Sequence, residues 1–138
     1  MKQGLYRIID ANLNRSREGL RVCEEITRFA LNSRTLTGEL KTVRHAISDI
    51  AKSPGVNIRG LALSRDSDGD ILRRSNFESE MKREGLSDIF EANIERVKES
   101  LRVLEELYKL VDTEASAKFC SLRFKVYTIE KKAVKRLV

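Results

Sequence analysis

Apolar residues recur at helical spacing in four stretches of the chain. Ile9, Leu13, Leu20, Cys23, Ala30 and Leu31 share one face at about 100° per residue, which predicts a first long helix. The segment "NSRTLT" then offers a turn and a helix cap, and Leu36, Leu40, Val43, Ile47 and Ile50 form the stripe of a second helix that stops at Pro54-Gly55. Ser87 and Asp88 open a third, running to about Val111. Asp112 or Thr113 starts the last, whose stripe is Phe119, Leu122, Val126, Ile129 and Ala133.

The first and third helices are copies. Residues 9–25 and 90–106 match at nine of seventeen positions, where unrelated segments would share about one. After a two-residue deletion the copy continues from "LKTVRHAISDI" to "FCSLRFKVYTI", aligned on Arg44 and Arg123. The predicted architecture is therefore a single all-α domain over 1–138, a bundle of two repeated helical hairpins with about four long helices. The halves span about 5–54 and 87–138, and a Gly-, Ser-, Asp- and Arg-rich connection covers about 55–86. Connections of that length are usually functional or disordered. Coiled-coil pairing of two chains, giving a homodimer, is the alternative packing.

Composition narrows the class. Of 138 residues, 41% are hydrophobic and 35% charged, enough apolar content for a core. The net charge of +6 invites nucleic acid, but acids and bases interleave in "RSREGLRVCEE" and "ERVKESLRVLEE", the pattern of a solvated face with local ion pairs; no nucleic-acid partner is expected. No run is long and apolar enough for a membrane span, and "MKQGLYRIIDANLN" lacks the features of a signal peptide, so a cytoplasmic location is expected. Cys23 and Cys120 do not correspond within the repeat and are expected to be buried, reduced thiols.

Candidate chemistry lies in polar residues that recur with the repeat. Asn12, Arg15 and Gly19 project between the main apolar face and a second apolar group of Ala11, Val22, Ile26 and Phe29; Asn93, Arg96 and Ser100 do the same among Ala92, Val103, Leu107 and Leu110. An arginine in such an arc must find acceptors, because its guanidinium stays charged. Either the protein supplies them, through Glu18 or Glu24 for Arg15 and Glu99 or Glu105 for Arg96, or an anionic ligand does. Arg44 and Arg123 border their stripes, and Tyr127 and Glu130 extend a polar seam from Arg123 toward the first helix of that half.

The loop "SRDSDGDILRRS" gathers Arg65, Asp66, Asp68 and Asp70 around Gly69. It fails as a calcium loop at both ends, Ser64 and Ser75, whereas a Mg²⁺ carried in with a nucleotide needs only one or two carboxylates, such as Asp66 and Asp70. A surface Asp-Gly turn accounts for the same residues. No Walker or G-x-G-x-x-G motif is present, and the single histidine, His45, points away from its stripe, which argues against histidine-dependent chemistry.

The motifs "YRIIDANLNRSREGLRVCEEITRF", "LKTVRHAI", "RDSDGD", "EANIERVKESLRVLEELYKL" and "LRFKVYTIEK", in this order, resemble the hydroxymethylpyrimidine phosphate kinase domain found alone or fused in front of thiamine-phosphate synthase. The resemblance implies transfer of the γ-phosphoryl group of ATP, with Mg²⁺, to 4-amino-5-hydroxymethyl-2-methylpyrimidine phosphate, giving the diphosphate used in thiamine biosynthesis. It also implies an association with the synthase, and with the chain ending at Val138 the standalone form is expected. Asp70-Ile71-Leu72 stands where that pattern usually has Asp-Val-Gly.

A phosphate monoester is already an anionic nucleophile, so the reaction needs positioning and charge neutralisation more than a base. Position and chemistry assign Arg15, Arg96, Arg44 and Arg123 to phosphates and Asp66 and Asp70 to Mg²⁺. Asn12, Asn93, Glu18, Glu99, Glu130, Tyr127 and Arg65 are assigned to the substrate, the two half-sites facing one cavity. Two other readings are a non-catalytic ligand-binding or partner domain of the synthase, and a different all-helical enzyme acting on a dianionic metabolite.

Overall fold

A computed structural model describes residues 2–73 and 81–137. Four long helices account for most of it: α1 (Lys2–Glu25), which widens into a π-turn over Ile26–Ala30, α2 (Arg34–Ala51), α4 (Leu86–Tyr108) and α5 (Thr113–Leu137). A short helix, α3 (Ile58–Leu63), lies in the connection. The predicted all-α bundle of two hairpins is the observed one. No strand occurs among the described residues, and no helix there is long and apolar enough to cross a membrane. The part of the connection at 74–80, including Ser75, lies outside the described residues.

Local chemistry sets the helix ends. Ser33 caps α2, its hydroxyl accepting from the Leu36 N–H at 3.2 Å, and Asp112 caps α5, accepting from Glu114 N–H at 3.0 Å and Ala115 N–H at 3.2 Å. Those two backbone bonds and the Ser53 hydroxyl hold the Asp112 carboxyl below its ordinary range, the Ser53 bond contributing most. The α1–α2 turn places Asn32 at φ 49°, a left-handed conformation that asparagine tolerates better than most residues.

The helices form a ring, α1 beside α2 and α4, α5 beside the same two, with every neighbour antiparallel. Ile9, Leu13, Leu20, Cys23, Leu36, Leu40, Val43, Ile47, Phe119, Leu122, Val126, Ile129 and Ala133 fill the centre as their stripes predict. Ala30 and Phe29 are exposed instead, because the π-turn underwinds the helix and rotates them off the 100° progression. Leu110 is exposed because α4 ends at Tyr108. Cys23 is buried, which pushes its thiol up to about 12, while Cys120, at the edge of α5, is half-buried rather than buried. Both are free thiols.

The two repeat helices α1 and α4 pack closely at Gly19. A Cβ there would stand 2.9 Å from Val97 Cγ2 and 3.0 Å from the Asn93 carbonyl oxygen. Gly19→Ala is therefore expected to lower stability by about 1–3 kcal/mol, measured by chemical denaturation, because α1 and α4 must move apart.

Side chains on α1 also anchor the connection. The Tyr6 hydroxyl accepts from the Asn57 N–H at 3.1 Å, and Asn57 caps α3 through the Gly60 N–H at 3.2 Å. Beyond α3, the Arg65 guanidinium donates twice to Asp10, at 2.7 and 2.8 Å. This fork is what lays the acidic loop 65–70 against the first half of α1.

Candidate functional site

The contact between that loop and α1 leaves a cleft of about 550 Å³. Its floor is the outer face of α1, with Arg7, Ala11, Asn12 and Arg15, and its wall is Arg65, Asp66, Ser67 and Asp70. Residues four or seven positions apart on a helix share a face, so Arg7, Ala11 and Arg15 point the same way. The volume suits a small-molecule ligand (about 300–1,000 Å³).

The charges in the cleft are unevenly spent. Asp10 is nearly buried and is paired with Arg65, and the bond to Asp10 raises the Arg65 guanidinium above its ordinary value. Arg7 and Arg15 have no carboxylate partner among the described residues. Asp66 gives one oxygen to the Gly69 N–H at 2.9 Å, and Asp70 one to the Leu72 N–H at 3.0 Å. The Asp-Gly turn is thus real, and it fixes both carboxylates on the wall. A Cβ at Gly69 would meet the Asp66 carboxylate, which would have to move aside.

No group of three or more His, Cys, Asp or Glu among the described residues could hold a metal ion by itself. Asp66 and Asp70 line the cleft with two arginines that lack a carboxylate partner among the described residues, a donor set that would suit a Mg²⁺ carried on a nucleotide's phosphates, which needs only one or two carboxylates.

The repeat's polar residues divide between this cleft and internal pairs. The Asn12 and Asn93 amides each donate to the carbonyl four residues back, Ile8 and Ile89, at 2.8 Å in both halves. Asn12 is buried and lines the cleft. Arg15 and Arg96 are exposed rather than enclosed in an apolar arc, and neither meets Glu18, Glu24, Glu99 or Glu105.

The arginines of the second helices are the paired ones. Arg44 donates twice to Glu24, at 2.6 and 3.1 Å, and Arg123 once to Glu105 at 3.1 Å, the equivalent residues of the two halves. Arg123 also donates to the Tyr127 hydroxyl at 3.4 Å, while its Nε is buried without a partner. Glu130 meets Lys98 at 2.9 Å. Arg123, Tyr127 and Glu99 line a separate groove of about 340 Å³ with Lys98. The two half-sites do not meet in one cavity among the described residues: Asn12 and Arg15 line the first cleft without Asn93 or Arg96, Arg123 lines the separate groove, and α1 packs closely on α4 at Gly19.

Arg7, Asp10 and Lys98 were not legible as site residues. Asp10 carried a signal, an acid beside Ile9 and Leu13 that burial obliges to find a partner, but that partner is 55 positions away.

The family model that matches the sequence is the ThiD2 family, over residues 7–132. The chain belongs to the ThiD2 family. Among similar proteins are those named thiamine-phosphate synthase from Nostoc punctiforme, 39% identical over 94% of this chain, and from Synechocystis sp., 40% identical over 91%. Another with that name, from Rhodopirellula baltica, is 41% identical over 89%. This ThiD2 chain spans about a third of their length: 35% of the first two and 32% of the last. No solved structure matches it significantly. The cleft residues from Arg7 to Asp70 all fall within the ThiD2 match.

Proposed function

We propose that this ThiD2 chain transfers the γ-phosphoryl group of ATP to 4-amino-5-hydroxymethyl-2-methylpyrimidine phosphate in thiamine biosynthesis. The observation that carries the reading is the cleft in which two unpaired arginines, Arg7 and Arg15, face two carboxylates, Asp66 and Asp70. The names of the relatives support the thiamine context. Planar guanidinium groups bind phosphate oxygens in pairs, and Arg7 and Arg15 would hold the acceptor phosphate and neutralise charge as it reacts. Asp66 and Asp70 would hold Mg²⁺, which when bound supplies charge neutralisation on the nucleotide phosphates. Asn12 orients groups at the cleft floor, and the exposed His45 has no part. A base is dispensable because the acceptor phosphate is already ionised.

A second reading is a non-catalytic partner domain of thiamine-phosphate synthase, favoured by the match to about a third of proteins that carry that name. Incubation of the pure protein with the pyrimidine phosphate and Mg-ATP separates the two. The kinase reading expects ADP and the pyrimidine diphosphate in equal amounts. Thermal stabilisation by the pyrimidine phosphate with no product would instead support the partner domain, since binding at a hundred times Kd stabilises by about 2.7 kcal/mol.

A further inference from the structure

A second cleft, also of about 550 Å³, lies where the π-turn of α1 meets the start of α2. Five cationic side chains line it, Arg21, Arg28, Arg34, Lys41 and Arg44, against two acids, Glu24 and Glu25. Both acids are already engaged: Glu24 by the fork from Arg44, and Glu25 by Arg21 at 3.8 Å. Arg28, Arg34 and Lys41 are exposed and have no carboxylate partner among the described residues. Three like charges held around one concavity repel each other, and an anion between them relieves that repulsion.

The internal repeat supplies the control. In the second half, the position of Arg28 is Lys109, which pairs with Glu106 at 2.8 Å, and the position of Arg21 is Arg102, which pairs with Glu105 at 3.2 Å and Glu106 at 3.3 Å. Arg34 and Lys41 correspond to Thr113 and Cys120, which carry no positive charge. The same fold is thus built once with each of its three cations on a glutamate and once with three cations that have none among the described residues. The halves also differ in backbone here. Two extra residues separate Glu25 from Arg44 compared with Glu106 from Arg123, and this is the stretch that holds the π-turn and the left-handed Asn32.

The α1 residues of the two clefts are centred roughly fourteen positions apart, about 20 Å at 1.5 Å per residue. Groups that react directly must approach to about 3–3.5 Å, so a ligand here does not share a reacting centre with one in the first cleft.

We propose that the cleft at the π-turn is a second anion site, taking the diphosphate or triphosphate group of a small molecule. Three separated cations match the several charged oxygens of such a group better than a single carboxylate. The site is independent of the kinase reading, because it is tested by binding alone. Inorganic pyrophosphate is titrated calorimetrically into the metal-free protein, the Arg34→Ala/Lys41→Gln double variant and Arg15→Ala. Both substituted positions are exposed and unpaired, so the double variant should melt with the wild type. The expected result is at least a tenfold loss of pyrophosphate affinity in the double variant and little change in Arg15→Ala. Competition by ADP with adenosine inert would support a nucleotide tail as the source, and indifference to ADP would support the free anion. Undiminished binding in the double variant, no binding to the wild type, or preferential binding of a single-stranded oligonucleotide would overturn the proposal.

Discussion

Arg15→Ala is expected to lower kcat/KM for the pyrimidine phosphate by about 100- to 1,000-fold while leaving the melting temperature within about 1 °C. The size follows from removing a positioned donor from charge that develops during reaction, which typically costs that factor. The unchanged stability follows from its surroundings: Arg15 is exposed, bonds to no carboxylate among the described residues, and lines the first cleft. Arg96→Ala is the matched comparison, equally exposed and unpaired but outside that cleft, and its effect is expected to stay within about threefold. Steady-state kinetics on both variants checks this. Equal large losses would mean that the two half-sites act together, as the duplication taken alone suggests.

The largest stability effect is expected from Arg44→Ala, a loss of about 2–3 kcal/mol in chemical denaturation. Its partner Glu24 has a side chain only 6% exposed and depends on the Arg44 fork. Removing the arginine leaves a buried carboxylate uncompensated, while solvent reaching Arg44, a fifth exposed, keeps the loss near the lower end of what buried pairs show. Glu24→Leu combined with Arg44→Leu should recover much of it, because replacing both charges with apolar groups removes the unpaired acid. Arg123→Ala should be milder, since Arg123 donates only one bond to Glu105. If Arg44→Ala instead abolished turnover and spared stability, Arg44 would be a ligand-binding residue.

The raised pKa values of Arg44 and Arg123 point the same way as these pairs. Each comes from side-chain hydrogen bonding, with Glu24 for Arg44 and with Tyr127 and then Glu105 for Arg123. Guanidinium groups held in this way position the second helix of each hairpin against the first. They are structural equivalents, preserved in both halves, whereas Arg15 and Arg7 line the first cleft without a carboxylate partner among the described residues.

The amino-acid sequence by itself determined the four long helices, a cap within "NSRTLT", a start at Asp112 or Thr113, the break at Pro54-Gly55 and the duplicated hairpin, because periodicity, capping and chain breaking act within a few residues. It also marked Asn12, Arg15, Arg65, Asp66 and Asp70, five residues that the cleft unites. Only the tertiary structure decided which arginines are spent, since Arg44 and Glu24 are 20 positions apart and Arg65 and Asp10 are 55. Helical projection placed Arg15 inside an apolar arc and Arg44 at the border of a stripe; packing instead left Arg15 in open solvent and gave Arg44 a buried glutamate. The π-turn, too, was set beyond local periodicity, and with it the exposure of Ala30 and the cationic cleft. Charge pairing over such distances depends on how helices dock, and docking is a property of the whole bundle.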